Sequence, residues 1–288
     1  MAVRHSTLPE SGRILLAVDG SHPSKSAACA AAWIARSYQW SVHAIYVVDA
    51  AQVFELYGDT TRELSELGVQ VPDQQQIDLF NEQGQLALAE VESLCQLVDV
   101  PLTTELIFGG VPNAVLESAR QYQLLALGRR GNRHENVSHH LGSNFRQIAH
   151  HAHCPLLIGG GDSDHEKCRH LLLAYDGSLL SKQALTWADD LRSTCREILV
   201  LSVEKEYEKD HTWLEDRQLE VKRSGVKLSE FIHGAGDPRR SIAEIANSRR
   251  ADLILMGAYH HAQFMEWTNH SVLDSVLREI DIPVLAMK

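Results

Sequence analysis

The chain is written twice. The segment ILLAVDGS at 14–21 recurs as LLLAYDGS at 171–178, an offset of 157 residues at the aspartate (19 to 176). Further on, LLALG at 124–128 matches LILMG at 253–257 with an offset of 129 (128 to 257). CPLLI at 154–158 matches IPVLA at 282–286 with an offset of 128 (155 to 283). Three matches in the same order mark an internal duplication, and a duplicated chain must fold into two like units. The second copy is shorter by 29 residues (157 against 128), lost between the first and third matches. A length of 288 residues independently favours two domains. The polar stretch GGGDSD at 159–164 reads as the linker between two apolar strands. It divides the chain into domains of residues 1–160 and 161–288.

Each copy alternates strand and helix. Residues 14–18 form a short continuous apolar run, the pattern of a parallel strand buried on both faces. Pro23 then stands near a helix start, followed by Ala27, Ala28, Ala31, Ile34 and Ala35 at helical spacing. Strands are expected at 42–48, 103–108, 124–127 and 156–158, with a long helix over 74–98 and further helices from Pro112 and Ser143. The second copy repeats the order, with strands near 171–175, 198–203, 227–233, 253–256 and 284–286. This alternation predicts an α/β fold, two tandem open parallel five-stranded sheets with helices on both faces. The extra material in copy one, 49–73, reads as a loop with at most one short helix over 56–67. It is either a lid or partner contact, or a tolerated loop.

Charge narrows the function. Lys and Arg total 27 against 38 Asp and Glu, a formal charge of −11, which argues against a protein that grips nucleic acid by its phosphates. No apolar run approaches the ~18 residues of a transmembrane helix, so no membrane partner is expected. The first ten residues do not resemble a signal peptide. Five cysteines scattered without a CxxC pair suit a reducing compartment. A cytoplasmic protein is expected.

The informative stretch is GRRGNRHENVSHHLGS at 128–143, which begins where a strand ends and finishes where a helix begins. Open α/β sheets bind ligands outside the carboxyl ends of their strands. Glycines there let backbone N–H groups approach an anion, and a helix start with Ser143 at its N-cap adds partial positive charge. Arg129, Arg130 and Arg133 add cationic side chains. The plain alternative is a surface loop that happens to carry glycines and arginines. No GxxxxGK[ST] occurs, and no GxGxxG follows the first strand, which excludes Walker-type and Rossmann phosphate sites. Nor does the first strand lead into the glycine-rich loop of an ATP pyrophosphatase.

At this point the sequence resembles the universal stress protein family in its tandem-domain form. The resemblance rests on Val18-Asp19-Gly20-Ser21, Gly110-Val111-Pro112, Gly128-x2-Gly131, Gly142-Ser143 and Cys154-Pro155. It covers nearly the whole chain twice. It implies the adenine nucleotide alpha hydrolase-like fold, with ATP held at the carboxyl edge of the sheet. Carried over residue by residue, Ala17, Asp19 and Val48 would contact adenine, and Gly109 or Gly110 would lie near the ribose. Gly128, Gly131, Gly142, Ser143 and Asn144 would surround the phosphates, with Arg130 beside them. Asp19 has a second reading as an Asx-type cap of the next helix. One departure stands out: ten residues separate Gly131 from Gly142, where the family has nine.

Copy two departs further. It keeps Asp176 and Gly257, but His260 and His270 replace the second and third glycines. Each imidazole takes up room that phosphates would need, so this copy is expected not to bind ATP in the usual way. Sixteen histidines invite a metal reading, yet adjacent His-His pairs do not converge on one ion, and no metal ligand set is assigned. A magnesium or manganese ion carried with ATP is the metal such a site would meet. No catalytic arrangement can be placed in the loop, so at most weak ATPase activity is expected, with Arg130 or His134 as helpers. The expected function is therefore ATP binding in a stress response, with occupancy controlling an unknown protein partner. A slow ATPase or self-phosphorylating enzyme, and a ligand-free chaperone-like scaffold, are the alternatives. The resemblance also implies that the two copies pair through their last strands, 156–158 and 284–286, as an intramolecular pseudo-dimer able to dimerise further.

Overall fold

The computed structural model describes residues 11–49, 74–131, 141–161, 168–204, 212–258 and 271–288. The first repeat runs β1 (Arg13–Val18), α1 (His22–Tyr38), β2 (Ser41–Asp49), α2 (Gln74–Leu97), β3 (Leu102–Gly109), α3 (Val111–Ala119), β4 (Leu124–Gly128), α4 (Ser143–His151) and β5 (Leu156–Gly159). The second runs β6 (His170–Ala174), α5 (Leu179–Leu191), β7 (Glu197–Glu204), α6 (Thr212–Arg223), β8 (Glu230–Ala235), α7 (Pro238–Ser248), β9 (Leu253–Gly257), α8 (Val272–Glu279) and β10 (Val284–Met287). The expected elements lie within a few residues of these bounds. Strand β8 starts three residues later than the apolar pattern suggested, and Tyr175 falls just outside β6. The insertion at 50–73 lies outside the described residues.

The same sequence makes the same turn in both copies. After β1, Asp19 Oδ1 accepts from Ser21 N (3.0 Å) and Ser21 Oγ (2.6 Å), and Ser21 Oγ in turn accepts from Ser24 N (3.3 Å) to cap α1. After β6, Asp176 Oδ1 accepts from Ser178 N (3.0 Å), and Ser178 Oγ caps α5 through Ser181 N (3.2 Å). Gly20 and Gly177 both adopt φ 77°, a conformation that side chains resist. The Asp-Gly-Ser spelling is thus a turn-and-cap device before it is anything else.

The strands form one sheet, in the order β3-β2-β1-β4-β5-β10-β9-β6-β7-β8. Each five-stranded half is parallel, and the halves join edge to edge. Strand β10 pairs antiparallel with β5, Val284 opposite Ile158 and Ala286 opposite Leu156. The two expected sheets are therefore continuous, and the last-strand pairing removes two apolar edges that would otherwise be open to aggregation. Two apolar cores, one on each face, run through both halves. No described helix is long and apolar enough to cross a membrane.

The halves are also bolted together off the sheet. Tyr38, Trp40 and Trp187 pack with ring centroids 5.0 to 5.9 Å apart, bringing the end of α1 against α5. Arg129, 2% exposed, donates to Leu277 O (2.5 Å) and Ile280 O and pairs with Asp281 Oδ1. From the other side, Lys288 Nζ donates to Ala149 O (2.5 Å) and His150 O (3.2 Å). Each cation neutralises the carbonyl end of a helix in the opposite repeat. Arg129 was expected to serve an anion in the loop after β4. It points instead into the junction, where the carbonyls ending α8 and the Asp281 carboxylate take up its guanidinium.

Candidate functional site

The position of the site follows from the strand order. The chain moves outward from β1 to β2 and β3, then returns to place β4 on the other side of β1. Loops leaving β1 and β4 diverge there, opening a crevice at the carboxyl edge. A cavity of about 850 Å³ fills it, large enough for a nucleotide-sized ligand. Its lining brings together Ala17, Asp19, Val48, Gly128, Arg130, Gly131, Gly142, Ser143 and Asn144. These are nine of the eleven residues singled out in the sequence. Gly109 and Gly110 are not part of the lining; they end β3 and lead into Val111, which is.

Close packing explains why the glycines are glycines. A Cβ on Gly131 would lie 2.9 Å from Asp19 Oδ2, and one on Gly142 would lie 3.3 Å from Arg130 Cα. The described ends of the loop after β4 thus lie close over the Asp-Gly-Ser turn, Gly142 N donating to Arg129 O (3.0 Å) and Arg130 O standing 3.2 Å from Ser21 Oγ. Gly128 is different. A Cβ there would stand 2.8 Å from Ser24 N, and its counterpart Gly257 sits 2.9 Å from Leu180 Cβ by the same measure. That glycine recurs in both copies because a helix start presses on the strand end.

The lining is mixed, with apolar and polar side chains on the same elements. Phe80 and Ala87 of α2, Val111 and Val115 of α3, and Ile45 of β2 supply the apolar walls. Tyr46 and Asp49 also reach it. Burial, then the Asp19 charge, raises the Tyr46 phenol above its ordinary value. Most of these residues were not foreseen, since they come from elements far from the glycine loop. The signal available was Phe80 and Ala87 a helical two turns apart on α2, which reads equally as ordinary core.

Arg130, also in the lining, is buried to 9% exposure, and α4 presents its N-terminus. Gly142, not Ser143, is the N-cap, and it makes no side-chain cap bond. Ser143 is the first helical residue and is exposed. First-turn amides have no carbonyl partner inside a helix, and α4 has no acidic residue in that turn. The result is a pole of backbone amides and one guanidinium that can meet an anion, with the Asp19 carboxylate close by at Gly131. The extra residue between Gly131 and Gly142, with Arg133, His134, His139 and His140, lies outside the described residues.

The second repeat has a different centre. Tyr175 stands where the first repeat has Val18, and its hydroxyl donates to Glu220 Oε2 (2.7 Å). Lys182 Nζ pairs with Glu220 Oε1 (2.7 Å), and Arg217 Nη1 donates to Ser202 Oγ (3.2 Å). Arg217 Nε lies 3.5 Å from where a Cβ on Gly177 would be. Gly177 and Ser202 correspond to Gly20 and Tyr46, both lining the first cavity, so Arg217 lies across the matching place. The helix α8 begins with a true cap, Ser271 Oγ accepting from Asp274 N (2.9 Å), and Asp274 puts an acid in its first turn. His260 and His270 lie outside the described residues. Among the described residues, no group of three or more His, Cys, Asp or Glu is placed to hold a metal ion.

The profile of the universal stress protein family matches residues 10–158 and again residues 167–288. The chain belongs to the universal stress protein family. A universal stress protein of Synechocystis sp. is 24% identical over 288 residues, covering 96% of this chain and 99% of that one. Another, from Methanocaldococcus jannaschii, is 31% identical over 149 residues, 51% of this chain and 80% of its own. Among solved structures, a universal stress protein from Archaeoglobus fulgidus covers 96% of each chain with a TM-score of 0.71 at 19% identity. That likeness is one of fold, and it spans both halves of this tandem universal stress protein.

Proposed function

We propose that this universal stress protein binds one ATP, or a related adenine nucleotide, in the cavity of its first repeat, and that occupancy governs contact with a protein partner. The observation that carries the reading is the cavity itself, which gathers apolar side chains, the Asp19 carboxylate, the Arg130 guanidinium and the start of α4 in one crevice. The base would sit among Ala17, Val48 and the α2 and α3 side chains, with the Asp19 carboxylate as acceptor for its amino group. The phosphates would meet Arg130, the Gly131 and Gly142 backbone and the first amides of α4. A magnesium or manganese ion would ride on the phosphates, where it neutralises their charge.

Efficient catalysis is not part of the proposal. In-line attack needs a group that orients water against the terminal phosphate, and no described residue at the pole has that role. The stress-response setting and the cytoplasm are the environment we infer for it. Equilibrium titration with ATP tests the reading. Saturable binding is expected in the wild-type protein, with at least about a tenfold loss in Gly142→Val, whose side chain would fill the space before α4 and crowd Arg130. Absence of binding by the wild-type protein would favour a ligand-free scaffold. Sustained ATP turnover lost in Ser143→Ala would favour an enzyme.

A further inference from the structure

Two thiols outside the cavity stand just before neighbouring strands. Cys168 leads into β6, and Cys195 lies in the turn between α5 and β7. The first rung of that parallel pair sets His170 against Glu197. One residue earlier, Arg196 N and Glu197 N both donate to Arg169 O (2.8 and 2.9 Å). Two residues back from the rung on each chain brings Cys168 opposite Cys195. The Arg169 bonds hold the two segments side by side to within one residue of both cysteines, and segments at strand spacing, ~4.8 Å, fall within the ~4.4–6.8 Å between Cα atoms that a disulfide spans. The two side chains already share a hydrogen bond.

Their surroundings differ in a useful way. Cys168 is buried and borders a small hollow with Ser26, Ala30 and Trp33 of α1, at the seam between the repeats. Cys195 is only partly buried, so an oxidant can reach it. The hydrogen bond from Cys168 holds the Cys195 thiol below its ordinary value, whereas burial pushes the Cys95 and Cys154 thiols up. A more acidic, more accessible thiol beside a buried one is the arrangement of an attacking and a resolving cysteine.

We propose that Cys168 and Cys195 form a peroxide-oxidised dithiol that closes to a disulfide within the second repeat. The Cys195 thiolate attacks one oxygen of hydrogen peroxide, the O–O bond breaks, and hydroxide leaves to become water with the thiol's proton. Cys195 is then a sulfenic acid. The Cys168 sulfur attacks it, an S–S bond forms, the S–O bond breaks, and a second water leaves. Two thiols lose two electrons to one peroxide. The bond would fasten the linker end of β6 to the turn before β7, under the Tyr38–Trp187 contact.

The test uses the full chain treated with one equivalent of hydrogen peroxide, then unfolded in N-ethylmaleimide. Alkylated cysteines should fall from five to three, and peptide mapping should find Cys168 joined to Cys195. Dithiothreitol should restore all five. In Cys168→Ser the cross-link should vanish and dimedone should label Cys195; in Cys195→Ser neither product should appear. The wild-type map decides the matter even if a variant folds poorly. Five alkylated thiols after peroxide, or a cross-link through Cys29, Cys95 or Cys154, would overturn the proposal.

Discussion

Arg129 and Arg130 are adjacent and chemically identical, yet they belong to different parts of the molecule. Arg129 spans the junction to the carbonyl end of α8, while Arg130 remains at the cavity. Nothing in the spelling RRG distinguishes them; the direction of each side chain is set by where β4 ends and by the neighbouring half. Arg130→Met should weaken ATP by about tenfold to a hundredfold, the range of a charge-assisted hydrogen bond, and leave adenosine nearly unaffected. Calorimetric titration with both ligands would show this. Arg129→Met should leave nucleotide affinity alone and lower stability by about 2 kcal/mol in urea unfolding. The glycines divide similarly. Gly159 allows β5 to lie against α1, and a Cβ there would overlap the Pro23 carbonyl and stand 2.6 Å from Ala27 N. Gly159→Ala should cost about 1–3 kcal/mol by overpacking, although no ligand approaches it.

Among the elements, the strands were the most legible, because runs buried on both faces leave little freedom in reading β1, β4 or β9. Helix α1 was legible through its cap and alanine spacing. The wall that α2 gives the cavity was not, since a residue such as Phe80 follows the same helical spacing whether it faces a core or a ligand. The helix starts α4 and α8 show how closely similar sequences diverge. Gly142 offers α4 no side-chain cap, whereas Ser271 caps α8 and Asp274 follows. The start of α8 therefore offers an anion a capped turn with an acid in it. Its charged centre also carries a pH signature. The hydrogen bond from Lys182, then that from Tyr175, holds the Glu220 carboxyl below the usual range. Burial pushes Asp176 up, but hydrogen bonds from Ser178 and Ser181 and the Arg217 charge outweigh it. Depressed carboxylates give stability that is complete above their ordinary values, about 4, and is lost as pH falls through the folded values. Acid unfolding followed by circular dichroism should begin as pH drops below that point, and Glu220→Gln should flatten the change.

At the scale of the whole molecule, duplication and pairing are one fact. The sequence showed two copies and, through its family resemblance, the strands by which they would meet; β5 and β10 do meet. The sequence did not show that both cores run through both halves, because packing between distant segments has no local spelling. Trp187, buried edge-on against the stacked Tyr38 and Trp40, should be a test of that unity. Trp187→Ala should cost about 3–5 kcal/mol and split a single urea transition into two, as the halves come apart before they unfold. If the transition stays single at the wild-type midpoint, the aromatic contact is not what holds the halves together. The asymmetry between the two repeats is the reason a single nucleotide per chain is proposed. The direct measurement is to unfold the ATP-saturated, desalted protein and quantify the released nucleotide by mass spectrometry. One adenine nucleotide per chain, lost in Gly142→Val, is the predicted result; two per chain, or one that persists in that variant, would contradict the account.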